Sequence, residues 1–117
     1  MNAVAEMIDI HVEQINSVIV VELAGELDSY SAPEAQAGIL PLIDRGSRVL
    51  LDMSRVTYMS SAGIRTLLLL YRTISEKVGK IVMTGLTDEV KEIMSLTGFL
   101  DFFSVFESRK EGLTALS

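Results

Sequence analysis

Leu50-Leu51-Asp52-Met53-Ser54-Arg55-Val56-Thr57-Tyr58-Met59-Ser60-Ser61-Ala62-Gly63-Ile64-Arg65 decides how the rest of the chain is read. An apolar strand over 47–52 passes into a short polar link. Two adjacent serines follow, then the small pair Ala62-Gly63, then a long apolar pattern of helical period. The serines therefore stand where a strand becomes a helix. The first N–H groups of a helix have no intrahelical partner, and the dipole there favours negative charge.

Downstream, Ile64, Leu67, Leu68, Tyr71, Ile74 and Val78 recur at helical spacing and predict a helix over Ala62–Val78, with Gly79 as its C′ residue. Leu69 and Leu70 lie beside that stripe, which predicts burial on more than one side. Lys80–Thr84 reads as a strand. Thr87 caps a third helix with Asp88 and Glu89 in its first turn, Val90, Ile93, Met94 and Thr97 facing inward, and Gly98 at its end. Phe102–Phe106 reads as a last strand. Ser108 and Glu111 fit a capping box for a terminal helix.

Upstream, Ile8–Glu13 alternates apolar and polar residues, Gln14–Ser17 carries turn residues, and Ser17–Ala24 is rich in valine. Together they predict a β-hairpin. Gly25-Glu26-Leu27-Asp28 leads into a polar stretch. Ser31 and Glu34 fit a capping box, with Pro33 in the first turn, for a helix over Ala32–Asp44 that Gly38 and Pro41 weaken. The order is β-β-α-β-α-β-α-β-α. That is an α/β fold: a mixed sheet opening on an antiparallel hairpin and continuing through alternating helices and parallel strands.

The chain has 117 residues, 49% hydrophobic and 22% charged, which suits one globular domain over 1–117. Without cysteine it has neither disulfide nor thiolate chemistry, and with His11 as its one histidine it holds no multi-histidine metal site. A net charge of −6 opposes direct nucleic-acid binding and adsorption to anionic membranes. Met1–Glu6 lacks the basic start and apolar core of a leader, and the longest apolar run is Leu67–Tyr71, so a cytoplasmic protein without a membrane span is expected.

The motifs of common catalytic sites are missing. There is no Gly-x-x-x-x-Gly-Lys, no Gly-x-Gly-x-x-Gly after the first strand and no Gly-x-Ser-x-Gly, so neither an enzyme nor a cofactor is expected. His11 falls in a strand and reads as a surface residue. Asp52 invites comparison with a phosphoacceptor aspartate, but the first strand ends in Glu13-Gln14 and no lysine lies near 102–106. Its expected role is to hydrogen-bond the turn that follows. Ser60 and Ser61 carry the sharper question. Either hydroxyl can cap the helix, worth about 1 kcal/mol, or accept a phosphate. Ala62 and Gly63 leave little steric cover there, so another protein could approach closely; glycine near a helix start costs about 1 kcal/mol against alanine, which either close packing or such close approach would offset.

On these residues the chain resembles the anti-sigma factor antagonists, bacterial proteins of the STAS fold, over nearly its whole length. Gly25-Glu26-Leu27-Asp28 looks like the loop after their second strand, and Val49 to Met59 looks like their central strand and link. Ser60-Ser61-Ala62-Gly63-Ile64 looks like their Asp-Ser-Ser/Thr/Ala-Gly-Leu phosphorylation motif, and Thr97-Gly98-Phe99-Leu100 like the segment after their third helix. The resemblance implies a partner switch. The unphosphorylated protein binds an anti-sigma factor that is also a serine kinase, which frees the sigma factor. Phosphorylation ends binding, and a serine phosphatase resets the cycle. By position the phosphoacceptor is Ser61, with Ser60 the alternative, and Asp28, Tyr30, Ser60, Ala62 and Gly63 are partner-binding candidates. Ser60 stands where the family often has aspartate. A half-buried loop anchor is the other reading of Tyr30. The competing function is a non-switching STAS scaffold or regulatory subunit, for example beside a lipid-transport ATPase or in a signalling complex, with Ser61 a plain cap.

Overall fold

A computed structural model describes residues 8–117; the leader expectation for Met1–Glu6 lies outside them. The strands are β1 (Asp9–Ile15), β2 (Val18–Leu27), β3 (Arg48–Met59), β4 (Lys80–Thr84) and β5 (Ser104–Phe106). The helices are α1 (Ala32–Ile39), α2 (Ser61–Glu76), α3 (Asp88–Leu96) and α4 (Arg109–Leu116), and short 3-10 turns follow α1 at Leu40–Leu42 and α3 at Phe99–Phe102. The strands form one sheet in the order β1-β2-β3-β4-β5, antiparallel between β1 and β2 and parallel thereafter. The mixed α/β architecture expected above is the one observed.

The hairpin turns through Asn16 and Ser17, both with positive φ (51° and 69°), the backbone that a two-residue connection between twisted strands requires. One face of the sheet carries Val21, Leu23, Val49, Leu51 and Met83 against Ala35 and Ile39 of α1, Ile64, Leu67, Leu70 and Ile74 of α2, and Val90 and Met94 of α3. The opposite face carries Val18, Val20, Leu50 and Val82 against Leu113 and Leu116 of α4. The change of face between Leu50 and Leu51 is the period of two that a strand imposes.

Several expectations change in detail. β3 does not stop at Asp52 but runs to Met59. Against β2 it gains one residue between Asp52 and Arg55 and another between Val56 and Tyr58. These two bulges bring Met53, Val56 and Met59 inward at intervals of three, which hides the strand's period of two. α1 ends at Ile39 rather than Asp44, because Pro41 lacks the N–H an α-helix needs and the chain tightens into a 3-10 turn. Ser31 and Glu34 form no capping box: Ser31 has helical backbone angles and its side chain caps nothing in α1. Phe102 lies in a 3-10 turn instead of in β5, where Phe102 and Phe103 stack edge-on against Tyr71 (centroids 6.3 and 5.5 Å).

The end of α2 also differs. Val78, not Gly79, takes the left-handed position, with φ 59°. Gly79 N–H bonds the Ile74 carbonyl at 2.9 Å and Val78 N–H the Ser75 carbonyl at 3.1 Å, a Schellman closure. Gly79 is needed for a different reason: a Cβ there would lie 2.3 Å from the Ser47 carbonyl oxygen. A β-branched residue in the left-handed region costs about 1–2 kcal/mol. Val78 is 65% exposed, so its side chain contributes little packing. Val78→Gly is therefore expected to stabilise the protein by about 1 kcal/mol, read as a higher midpoint in chemical denaturation.

Candidate functional site

β2 and β3 run parallel and end together, with Leu27 opposite Met59. Each strand leaves this carboxyl edge into a short connection, the 28–31 turn after β2 and Ser60 after β3. Ser60 N–H bonds the Leu27 carbonyl at 3.0 Å and ties the two connections.

The 28–31 turn is set by Asp28. Its Oδ1 accepts the N–H groups of Tyr30 (2.9 Å) and Ser31 (3.0 Å), and its own N–H donates to Ser31 Oγ at 3.0 Å. Ser31 Oγ in turn donates to the Glu26 carbonyl at 2.7 Å. Asp28 is committed to these bonds and only partly accessible. Tyr30 is 85% exposed, which rules out the half-buried anchor. A freely exposed tyrosine brings large contact area at low entropic cost to an interface.

At the other connection the two serines differ. Ser60 is the N-cap residue of α2, with extended backbone angles, yet its side chain makes no capping bond. Its Oγ is buried and has no hydrogen-bond partner. Ser61 is the first residue of the helix and exposed. Neither hydroxyl caps α2, so the capping reading of this pair fails. Ala62 is half-buried and Gly63 fully so. A Cβ on Gly63 would sit 2.4 Å from the Leu27 carbonyl oxygen and 2.8 Å from Met59 Cγ. Close packing therefore accounts for Gly63: it lets the first turn of α2 rest on the end of β2. Its part in the site is to position Ser61.

Tyr58, 47% exposed and two residues before Ser60, also lies at this edge. Reading the link as a loop hid it, because only the bulged strand fixes that its neighbour Met59 points inward.

Asp52 lies deeper in the sheet and is 6% exposed. Its Oδ1 accepts Ser54 N–H (3.0 Å) and Ser54 Oγ–H (2.7 Å), the expected bonds to the residues that follow. Its Oδ2 accepts Arg109 Nε at 2.7 Å, and the same guanidinium reaches Glu13 (3.3 Å) and Glu22 (3.6 Å). Arg109 was not legible as a partner, since it lies 57 residues further on in a different element. Burial pushes the Asp52 carboxyl up, but the hydrogen bonds from Ser54 and the pairing with Arg109 outweigh it and hold the group below its ordinary value. A lowered folded-state pKa stabilises the fold above the unfolded value. That contribution is lost as pH falls below about 4. Asp52→Asn is expected to be less stable at neutral pH and to show a flatter loss of stability on acidification, measured by denaturant titrations across pH.

Among the described residues no cluster of His, Asp and Glu could hold a metal ion, and no helix is long and apolar enough to cross a membrane. A groove of about 630 Å³ lies at the amino edge of the sheet, lined by Val12, Ile19, Leu42 and Arg45, and no candidate site residue reaches it.

Residues 9–112 match the family model described as STAS domain. The chain is 33% identical over 104 residues to BtrV, a candidate anti-sigma factor antagonist of Bordetella bronchiseptica, covering 88% of this chain and 90% of that protein. It is 27% identical over 105 residues to the anti-sigma-B factor antagonist of Bacillus subtilis, covering 90% and 95%. Its fold superposes on the crystal structure of an anti-sigma factor antagonist from Mycobacterium paratuberculosis with a TM-score of 0.86, at 24% identity and covering 96% of each chain.

Proposed function

The chain belongs to the STAS domain family, and on that premise we propose that it is a cytoplasmic anti-sigma factor antagonist working as a partner switch. It acts by binding rather than by catalysis. The unphosphorylated protein binds an anti-sigma factor that is also a serine kinase. Phosphorylation of Ser61 ends that binding, and a serine phosphatase restores it.

The observation that carries this reading is the contrast between the two serines. Ser61 Oγ belongs to an exposed residue at the mouth of α2, whereas Ser60 Oγ is buried. A kinase must bring ATP and a base to the acceptor oxygen, so the exposed hydroxyl is the usable one. Exposed Tyr30 and Tyr58 belong to the connections at the same end of β2 and β3, and on this reading the partner that binds there also covers the acceptor. A phosphate of about −1.5 to −2 charge then falls inside the interface, where desolvating it is costly.

The test is a pull-down from the source cell with wild type, Ser61→Ala and Ser61→Asp. The proposal expects a kinase-like partner with the first two and its loss with the third. Identical partner sets for all three would favour the scaffold reading.

A further inference from the structure

We propose that the outer edge of β1 takes up an extended segment of a second protein as a further strand of the sheet, a segment basic on one face and apolar on the other. Among the described residues nothing pairs with this edge. β1 meets β2 alone, from Asp9 opposite Ala24 to Ile15 opposite Val18, without a register shift. Exposed edges are commonly blunted by shortness, a proline, a bulge or charged side chains. Asp9–Ile15 is seven residues long and has neither proline nor bulge. Its guard is the pair Asp9 and Glu13, which repels an acidic strand and attracts a basic one. Backbone groups along the edge supply the ladder of hydrogen bonds that strand addition uses.

The two faces of β1 define the side chains of the added strand. Successive residues of a strand point to opposite faces. Ile10 packs toward α1, 3.0 Å from where a Cβ on Gly38 would lie, so Ile10, Val12 and Gln14 share the α1 face. There Val12 and Gln14 line the groove of about 630 Å³ together with Ile19 and Leu42, and the four charged residues around it cancel. Val12 is 41% exposed. A strand laid beside β1 therefore sets alternate side chains at an apolar groove, which gives such binding its specificity. The other face carries Asp9, His11 and Glu13, with Glu22 opposite His11. Arg109 is shared there among Glu13, Glu22 and Asp52, and Asp9 forms no salt bridge among the described residues. Lysine or arginine on the facing strand answers this surplus, since opposite charges across a strand pair attract and like charges repel. A second copy fits less well. Parallel pairing in register sets Asp9 on Asp9, antiparallel pairing about His11 sets Asp9 on Glu13, and each chain brings a net charge of −6. The groove lies at the amino edge of the sheet and Ser61 at the carboxyl edge, so occupation of β1 leaves the switch face free.

The probe is the peptide acetyl-Lys-Val-Lys-Val-Lys-amide, titrated into the isotope-labelled 117-residue chain, with amide shifts and hydrogen exchange read residue by residue. Saturable shifts in β1, Ile19 and Leu42 are expected, together with slowed exchange of β1 amides. Replacing valine by serine in the peptide should weaken binding by about tenfold, and replacing lysine by glutamate should abolish it. Asp9 and Val12 are exposed, so the fold tolerates their substitution. Val12→Lys should weaken binding by about tenfold and Asp9→Lys by about fivefold. The inference is overturned by the absence of saturable shifts, by equal binding of the glutamate peptide, or by affinity that neither substitution alters. Shifts without slowed exchange in β1 overturn it too, because they report adsorbed charge rather than an added strand. A free chain that sediments as a dimer with β1 amides already protected assigns the edge to a second copy, and equally overturns it.

Discussion

Phosphate on Ser61 should weaken binding of the anti-sigma partner by a few hundredfold, with Ser61→Asp losing a smaller share and Ser61→Ala binding as wild type. The size follows from where the group falls. Ser61 is exposed in the free chain and is the first residue of α2, at the sheet edge where β2 and β3 end, so a partner that covers the start of α2 excludes water from the hydroxyl. A serine hydroxyl tolerates this, because it can find a donor or acceptor within the interface. A phosphate that loses its water without gaining charged partners costs about 3–4 kcal/mol, which is the stated loss of affinity. Aspartate carries one charge on a shorter group and imposes less. Titration calorimetry against the purified partner reads all three values. Equal affinities would remove Ser61 from the interface.

The second large effect is on stability. Gly63→Ala is expected to cost about 2–3 kcal/mol and lower Tm by about 10 °C. At an ordinary helix position the same change gains about 1 kcal/mol, since alanine is the better helix former. Here the new Cβ meets the Leu27 carbonyl oxygen at 2.4 Å and Met59 Cγ at 2.8 Å. The methionine can move, but the carbonyl belongs to β2 and also accepts Ser60 N–H. Relief therefore requires α2 to lift from the end of the sheet, which loosens the Ser60-Ser61 junction as well. Calorimetric melting of wild type and variant checks the effect. A Tm equal to or above wild type would show that the junction gives way easily, and the positioning role of Gly63 would fail.

The sequence carried the fold because its periods are clean where its elements are regular. The hairpin and α2 announce themselves through spacing, α3 through spacing and its Thr87 cap, and α4 through its capping box. Legibility failed where a local irregularity broke the period. Two bulges turn the end of β3 into a pattern of threes, Pro41 divides α1 from its 3-10 extension, and Val78 occupies a backbone position that glycine would ordinarily hold. At the site, the order of residues singled out the Ser60-Ser61 pair but not the difference between them. One hydroxyl is buried and the other exposed at a junction where Ser60 N–H bonds the Leu27 carbonyl, a contact between residues 33 apart in sequence that spacing does not reveal. The Arg109 cluster was hidden for the same reason, since charge pairing across the sheet depends on register.

On the reading proposed above, Ser61 alone is the acceptor. Incubating the wild-type protein with its anti-sigma kinase and ATP, then locating the phosphate by peptide fragmentation in a mass spectrometer, tests it most directly. Phosphate on Ser61, with Ser60 unmodified, is the predicted result. Phosphate on Ser60, or a chain left unmodified while the kinase is demonstrably active, would contradict it.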